Sequence, residues 1–155
     1  MDKLKDLFNN FDLLSLLPEL GGVTDKCALA ARIAVLIGPA CLLFLGLWYL
    51  LLPPKEANYS AGFRCFRGMG SVEAWRFTQK LAGILWSAMG LVMLLVMFFL
   101  SRGYQAMGVN DALLSAVRAL LWETGLVAVS GIAIRIVLLV RYDLMGNRRG
   151  QEAEL

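Results

Sequence analysis

Apolar positions in this chain come in long unbroken blocks, without the alternating pattern of half-buried strands. From Ile33 to Leu52 the sequence IAVLIGPACLLFLGLWYLLL runs for 20 residues without a charge. At about 1.5 Å per residue a helix there covers roughly 30 Å, the hydrocarbon thickness of a bilayer. Gly38-Pro39 predicts a kink, because proline lacks a backbone donor and crowds the preceding turn, and Pro53-Pro54 stops the helix. Trp48 and Tyr49 suit the interfacial belt at its far end. A second block, Leu81 to Ser101, holds 21 residues and again no charge. A third runs from about Leu120 to Val140 and is interrupted by Glu123 and Arg135. Arg135 lies five residues from its end, roughly 7 to 8 Å in and within snorkelling reach, while Glu123 lies three residues inside the other end beside Trp122. Twelve residues separate the two, about 18 Å along a helix and about 120° around it, so they cannot pair with each other.

Ahead of the first block, Leu4, Leu7, Phe8, Phe11, Leu14 and Leu17 fall at helical spacing, with Lys5, Asn9, Asn10 and Asp12 mostly on the remaining surface. This predicts an N-terminal amphipathic helix lying in the membrane interface, ended by Pro18 and Gly21-Gly22. The expected fold class is therefore an all-α integral membrane protein with three transmembrane helices plus that interfacial helix. It divides into an amphipathic segment 1–27, a three-span domain 28–141 with a connecting loop 53–80, and a polar tail 142–155.

Composition agrees with a lipid solvent: 59% of residues are hydrophobic and 17% charged, with a mean hydropathy of +0.65, outside ordinary globular usage on both counts. The net charge of +3 is spread along the chain and forms no concentrated patch, which argues against nucleic acid as a partner. With no histidine and three scattered cysteines (Cys27, Cys41, Cys65), no zinc spacing and no even disulfide framework are available, and no metal or cofactor is expected. The first apolar block starts late and is long enough to span, so it reads as retained and not as a cleaved signal. Asn58-Tyr59-Ser60 matches a glycosylation sequon by chance on this reading, since the loop carrying it is placed in the cytoplasm.

That placement follows from the basic residues. Lys55, Arg64, Arg67, Arg76 and Lys80 in the loop, with Arg141, Arg148 and Arg149 in the tail, put eight on one side; Lys3, Lys5, Lys26, Arg32, Arg102 and Arg118 put six on the other. The chain is expected to be a multi-pass protein of the cell membrane, loop and C-terminus cytoplasmic and N-terminus outside.

The most informative stretch is AGFRCFRGMGSVEAWRFTQKLAGILW, residues 61–86. Ser71 is placed to cap a helix whose first turn contains Glu73, and nothing interrupts that helix before the second span. Along it Trp75, Gln79, Gly83 and Trp86 share a face, while Arg76 and Lys80 share the next. Gly62, Gly68 and Gly70 allow tight turns that aim Arg64 and Arg67 at carboxylates, helix C-termini or phosphates. Gly62, Phe63, Arg64, Arg67, Glu73, Ala74, Trp75, Gln79 and Gly83 together resemble the motif of the SdpI family, membrane proteins named after a bacterial immunity protein against a sporulation-delaying toxin. The resemblance covers roughly residues 33–141. It implies a non-enzymatic membrane protein that confers immunity to, or signals the presence of, a membrane-active peptide toxin. It also implies a cytoplasmic motif loop, with Gly62, Phe63, Arg64, Arg67, Glu73, Trp75, Gln79 and Gly83 as binding residues.

Two readings of the loop stay open: its cations set topology by charge alone, or they form a structured site for a peptide tail, a lipid headgroup or a cytoplasmic regulator. Glu123 is either an interfacial carboxylate near water or Arg118, or an ion or proton site in an oligomer. The second choice is the alternative function, a small homo-oligomeric transporter or channel using Glu123 and Arg135. Gly83 with Ser87, and Ser130 with Gly131, allow close helix approach within the chain, and self-association stays open. An enzyme ranks last, since Glu73, Asp111, Glu123 and Asp143 show no convergent pair.

Overall fold

The computed structural model describes residues 19–57 and 61–149. The amphipathic segment expected over residues 2–17, the Asn58-Tyr59-Ser60 sequon and the last six residues lie outside the described residues. Three long helices carry the chain: α1 (Glu19–Leu51), α2 (Val72–Leu100) and α3 (Val109–Arg141), with 3-10 turns at Arg67–Met69 and Ser101–Ala106. Each is long and apolar enough to cross a bilayer, and among the described residues there is no strand beyond one isolated bridge between Tyr142 and Arg148. This is the all-α, three-span architecture expected from the hydropathy blocks.

The helices extend well past those blocks. α1 begins at Glu19 and continues through Pro39 without a break in its assignment. α2 starts where the loop reading put it: Ser71 has extended backbone and its hydroxyl accepts the Ala74 N–H at 3.1 Å, with Glu73 in the first turn. α3 begins at Val109 and not near Leu120. Its first three turns are amphipathic, with Asp111 and Arg118 exposed and Ala112 and Ala116 buried, so a hydropathy window sees polar residues where one face is apolar. Glu123 consequently lies 14 residues inside α3, about 21 Å from its start and near the middle of the helix.

Lipid-facing surface dominates. Phe44, Val92, Leu121 and Val140 are among many large apolar side chains directed outward, as expected where the solvent is hydrocarbon and the backbone is satisfied inside each helix. What holds helices together in lipid is close approach, since an apolar side chain gains little by leaving lipid for protein. α1 and α2 touch where Gly46 faces Ser87 and Gly90 faces Leu43. A Cβ on Gly46 would lie 2.3 Å from the Ser87 backbone nitrogen, and one on Gly90 would lie 2.5 Å from that of Leu43. Gly83 packs likewise on Leu50, so Gly83 and Ser87 serve packing within the chain. α3 is tied in by the Trp86 indole N–H, which donates to the Ser130 hydroxyl at 3.1 Å. Buried residues gather at the two ends of the bundle, around Val35, Tyr104, Ala112 and Ala116 at one and around Ala74, Ala82, Ile134, Leu138 and Tyr142 at the loop end.

Gly125 in α3 has open space where a Cβ would project. Gly125→Ala should therefore raise stability by up to about 1 kcal/mol through helix propensity alone, measured as a higher midpoint of thermal unfolding in detergent.

Candidate functional site

Residues 53–57 and 61–71 form a folded cap on the loop end of the helices, and its organiser is Gln79. This side chain is fully buried on α2. Its Oε1 accepts the Phe63 N–H at 2.9 Å and its Nε2 donates to the Phe63 carbonyl at 3.0 Å, so one amide satisfies both backbone groups of a loop residue that has no ladder or helix of its own. One turn earlier Trp75, also fully buried, donates its indole N–H to the Pro54 carbonyl at 2.8 Å. Gly62 passes between them: its φ is +110°, and a Cβ there would come within 2.8 Å of the Trp75 ring and 2.9 Å of Gln79 Oε1. Only glycine combines that backbone with that clearance. The Phe63 ring then packs edge-on against Trp86, centroids 5.5 Å apart.

Downstream the cap is fastened to the end of α3. Arg67 donates from its guanidinium to the Tyr142 carbonyl at 2.9 Å, and Ser71 donates its hydroxyl to the Gly146 carbonyl at 2.6 Å. Residues 142–149, expected as the start of a polar tail, instead form a turn. Asp143 Oδ1 accepts the backbone N–H groups of Met145 and Asn147 at 2.9 and 2.7 Å. Sequence reasoning missed Tyr142, Gly146 and Thr78, which complete this cap. The Asp143-Leu-Met-Gly146-Asn turn residues were a local signal, but their partners lie 75 positions earlier in the chain. Burial pushes the Cys65 thiol above its ordinary range, and its sulfur packs beside Gly68 and Thr78.

Of the residues singled out by sequence, Gly62, Phe63, Trp75, Gln79 and Gly83 are brought together facing inward, and Arg67 is braced on Tyr142. Arg64 and Glu73 are exposed, as are Arg76 and Lys80. Arg135 of α3 is also exposed and shares a groove with Arg64 and Arg67. Glu123 lies apart: 5% exposed, it stands against Gly38 of α1, where an added Cβ would come 2.7 Å from Oε2. Among the described residues nothing hydrogen-bonds its Oε1, and none of them form a three-residue His, Cys, Asp or Glu cluster suited to a metal.

Two expected outcomes follow. Trp75→Phe keeps an aromatic side chain but removes the donor to the Pro54 carbonyl and part of the buried indole, which should lower stability by about 2 to 4 kcal/mol, read as a lower unfolding midpoint in detergent. The Asp143 carboxyl is held below its ordinary range chiefly by the Asn147 N–H. A depressed carboxylate supports the turn at neutral pH and loses that role as pH falls through its folded value. Amide exchange at Met145 and Asn147 should therefore be slow at pH 7 and accelerate, relative to the intrinsic rate, only below the usual carboxylate range.

No curated protein and no solved structure matches this chain. A family model, described as the SdpI/YfhL protein family, matches residues 55–141, more than half of the chain, taking in most of the cap together with α2 and α3. With three membrane-length helices and the motif residues folded into that cap, this chain is a multi-pass membrane protein that belongs to the SdpI/YfhL family.

Proposed function

We propose that the chain is a non-enzymatic immunity or signalling protein that responds to a membrane-active peptide toxin, with the motif cap as its interaction site and with cap and C-terminus in the cytoplasm. The observation that carries this reading is the family match over residues 55–141 combined with a hydrogen-bonded cap whose inward residues leave Arg64, Arg76 and Lys80 exposed. Cations on a preorganised surface bind an acidic or carboxylate-bearing segment with little ordering penalty. The excess of basic residues at the cap end supports the orientation.

The test is survival. Cells lacking the protein should become sensitive to a co-produced membrane-active peptide, and the full-length chain should restore resistance. Arg64→Ala should reduce that rescue, whereas rescue by Arg64→Lys separates a need for charge from a need for bidentate geometry. Unchanged survival of the deletion strain across such peptides removes the reading.

A second reading, a small homo-oligomeric transporter or channel, is favoured by one observation, the buried Oε1 of Glu123 near the middle of α3, which has no hydrogen-bond partner among the described residues. An ionisable group at that depth is costly unless hydrated, paired or neutral. Arg135, exposed near the other end of the same helix, is not its partner. Glu123→Gln should leave stability unchanged or higher, because it removes a buried charge at constant shape. It should abolish ion flux in liposomes if this reading holds; a monomer in mild detergent with no flux ends it.

A further inference from the structure

On one side of the cap a groove of about 670 Å³ opens between the loop and the end of α3, within the size range of small-ligand sites. Arg64 and Arg67 come from the loop and Arg135 from the spanning helix, with Phe66, Leu138 and Leu139 among the apolar walls. Among the described residues no carboxylate lines it, so three cations share one concavity without a described counterion, an arrangement that an anion relieves. We propose that this groove is a binding site for the phosphate of an anionic phospholipid in the leaflet at the cap end, held by Arg64, Arg67 and Arg135. The site shares Arg64 with the immunity reading but rests on the groove and not on that reading.

Three features select this ligand. Guanidinium groups offer planar paired donors that match phosphate oxygens. Arg67 is preorganised, since its contact with the Tyr142 carbonyl fixes the side chain while leaving most of its five N–H donors available. Arg135 lies six residues before the end of α3, about 9 Å along the axis, at the depth where headgroup meets acyl chain. The walls explain why a lipid is favoured over free phosphate: Phe66 is 79% exposed and Leu139 52%, apolar surface that an acyl chain covers and water does not. The second basic groove of the cap, between Pro53-Pro54 and Arg76 with Lys80, draws its charges from loop and α2 alone and has only one arginine.

The experiment uses the full chain in mild detergent and in nanodiscs of phosphatidylcholine doped with phosphatidylglycerol, with bound lipid counted by native mass spectrometry. One phosphatidylglycerol should be retained per chain under conditions that strip phosphatidylcholine. Arg64→Gln combined with Arg135→Gln, both exposed positions whose loss should leave helicity by circular dichroism unchanged, should weaken retention at least tenfold. Leu139→Glu, which sets a carboxylate in the groove, should do the same by a different route. Arg102→Gln, at the opposite end of the bundle, should have no effect. Equal retention of the two lipids, or a double variant that binds as well as the parent, would overturn the proposal. So would an equal loss on removing Arg102, which would reduce the effect to overall charge. Complete displacement by millimolar inorganic phosphate would assign the groove to the free anion and also overturn it.

Discussion

Gln79→Ala should release the cap and lower stability by about 2 to 6 kcal/mol. The side chain is fully buried and its amide satisfies both the N–H and the carbonyl of Phe63. Truncation leaves both groups unpaired beneath the loop, at about 1 to 3 kcal/mol each, and adds a cavity beside Gly62 and Trp75. The readouts are the unfolding midpoint in detergent and the alkylation rate of Cys65, half-buried in the intact cap, which should rise at least tenfold as the loop opens. Gln79→Glu should cost at least as much at neutral pH, because an ionised carboxylate accepts the Phe63 N–H but cannot donate to the carbonyl and buries an unpaired charge.

Gly46→Val should be nearly as damaging, for a different reason. Even the first added carbon at this position would lie 2.3 Å from the Ser87 backbone nitrogen and 2.8 Å from its Cα. Backbone cannot swing aside as a side-chain tip can, so α1 and α2 must separate or slide along much of their shared length. Overpacking of this kind typically costs 1 to 3 kcal/mol, and the β-branched side chain puts the expected loss at or above the upper end. Because close approach is the main attraction between helices in lipid, the separation is not offset by repacking. The expected result is a lowered unfolding midpoint with helicity intact, whereas Gly125→Ala on the open face of α3 moves the midpoint the other way. Together the pair distinguishes the packed glycine from the merely helical one.

Much of this molecule is legible in its sequence because lipid imposes simple rules. The uncharged blocks at residues 33–52 and 81–101 lie within α1 and α2 apart from their final residues, and Ser71 caps α2 as its side chain and spacing demand. α3 was the harder case. Its opening turns through Arg118 are amphipathic, and only the structure shows that Ala112 and Ala116 face the bundle while Asp111 and Arg118 face out. That difference places Glu123 near the middle of a helix longer than its apolar block. The site was legible as a set of residues but not as a division of labour. Gly62, Phe63, Trp75 and Gln79 stand out in sequence equally with Arg64 and Glu73, yet which of them turn inward depends on contacts across 16 to 21 positions. The groove adds Arg135 from the far end of the chain, which no local pattern connects to the loop.

The central claim is that the motif residues fold the connector into a rigid cap seated against the end of α3. A distance measurement between spin labels at Phe66 in the loop and Leu121 on α3, both exposed, tests it most directly. Phe66 shares a groove with Leu139, so the labelled pair should lie roughly 25 to 30 Å apart, eighteen residues along the helix at about 1.5 Å each. The expected result is one narrow distribution near that distance, unchanged between detergent and nanodisc and broadened by Gln79→Ala. A broad distribution in the parent chain, indifferent to that substitution, would show the connector to be a loose linker and contradict the cap.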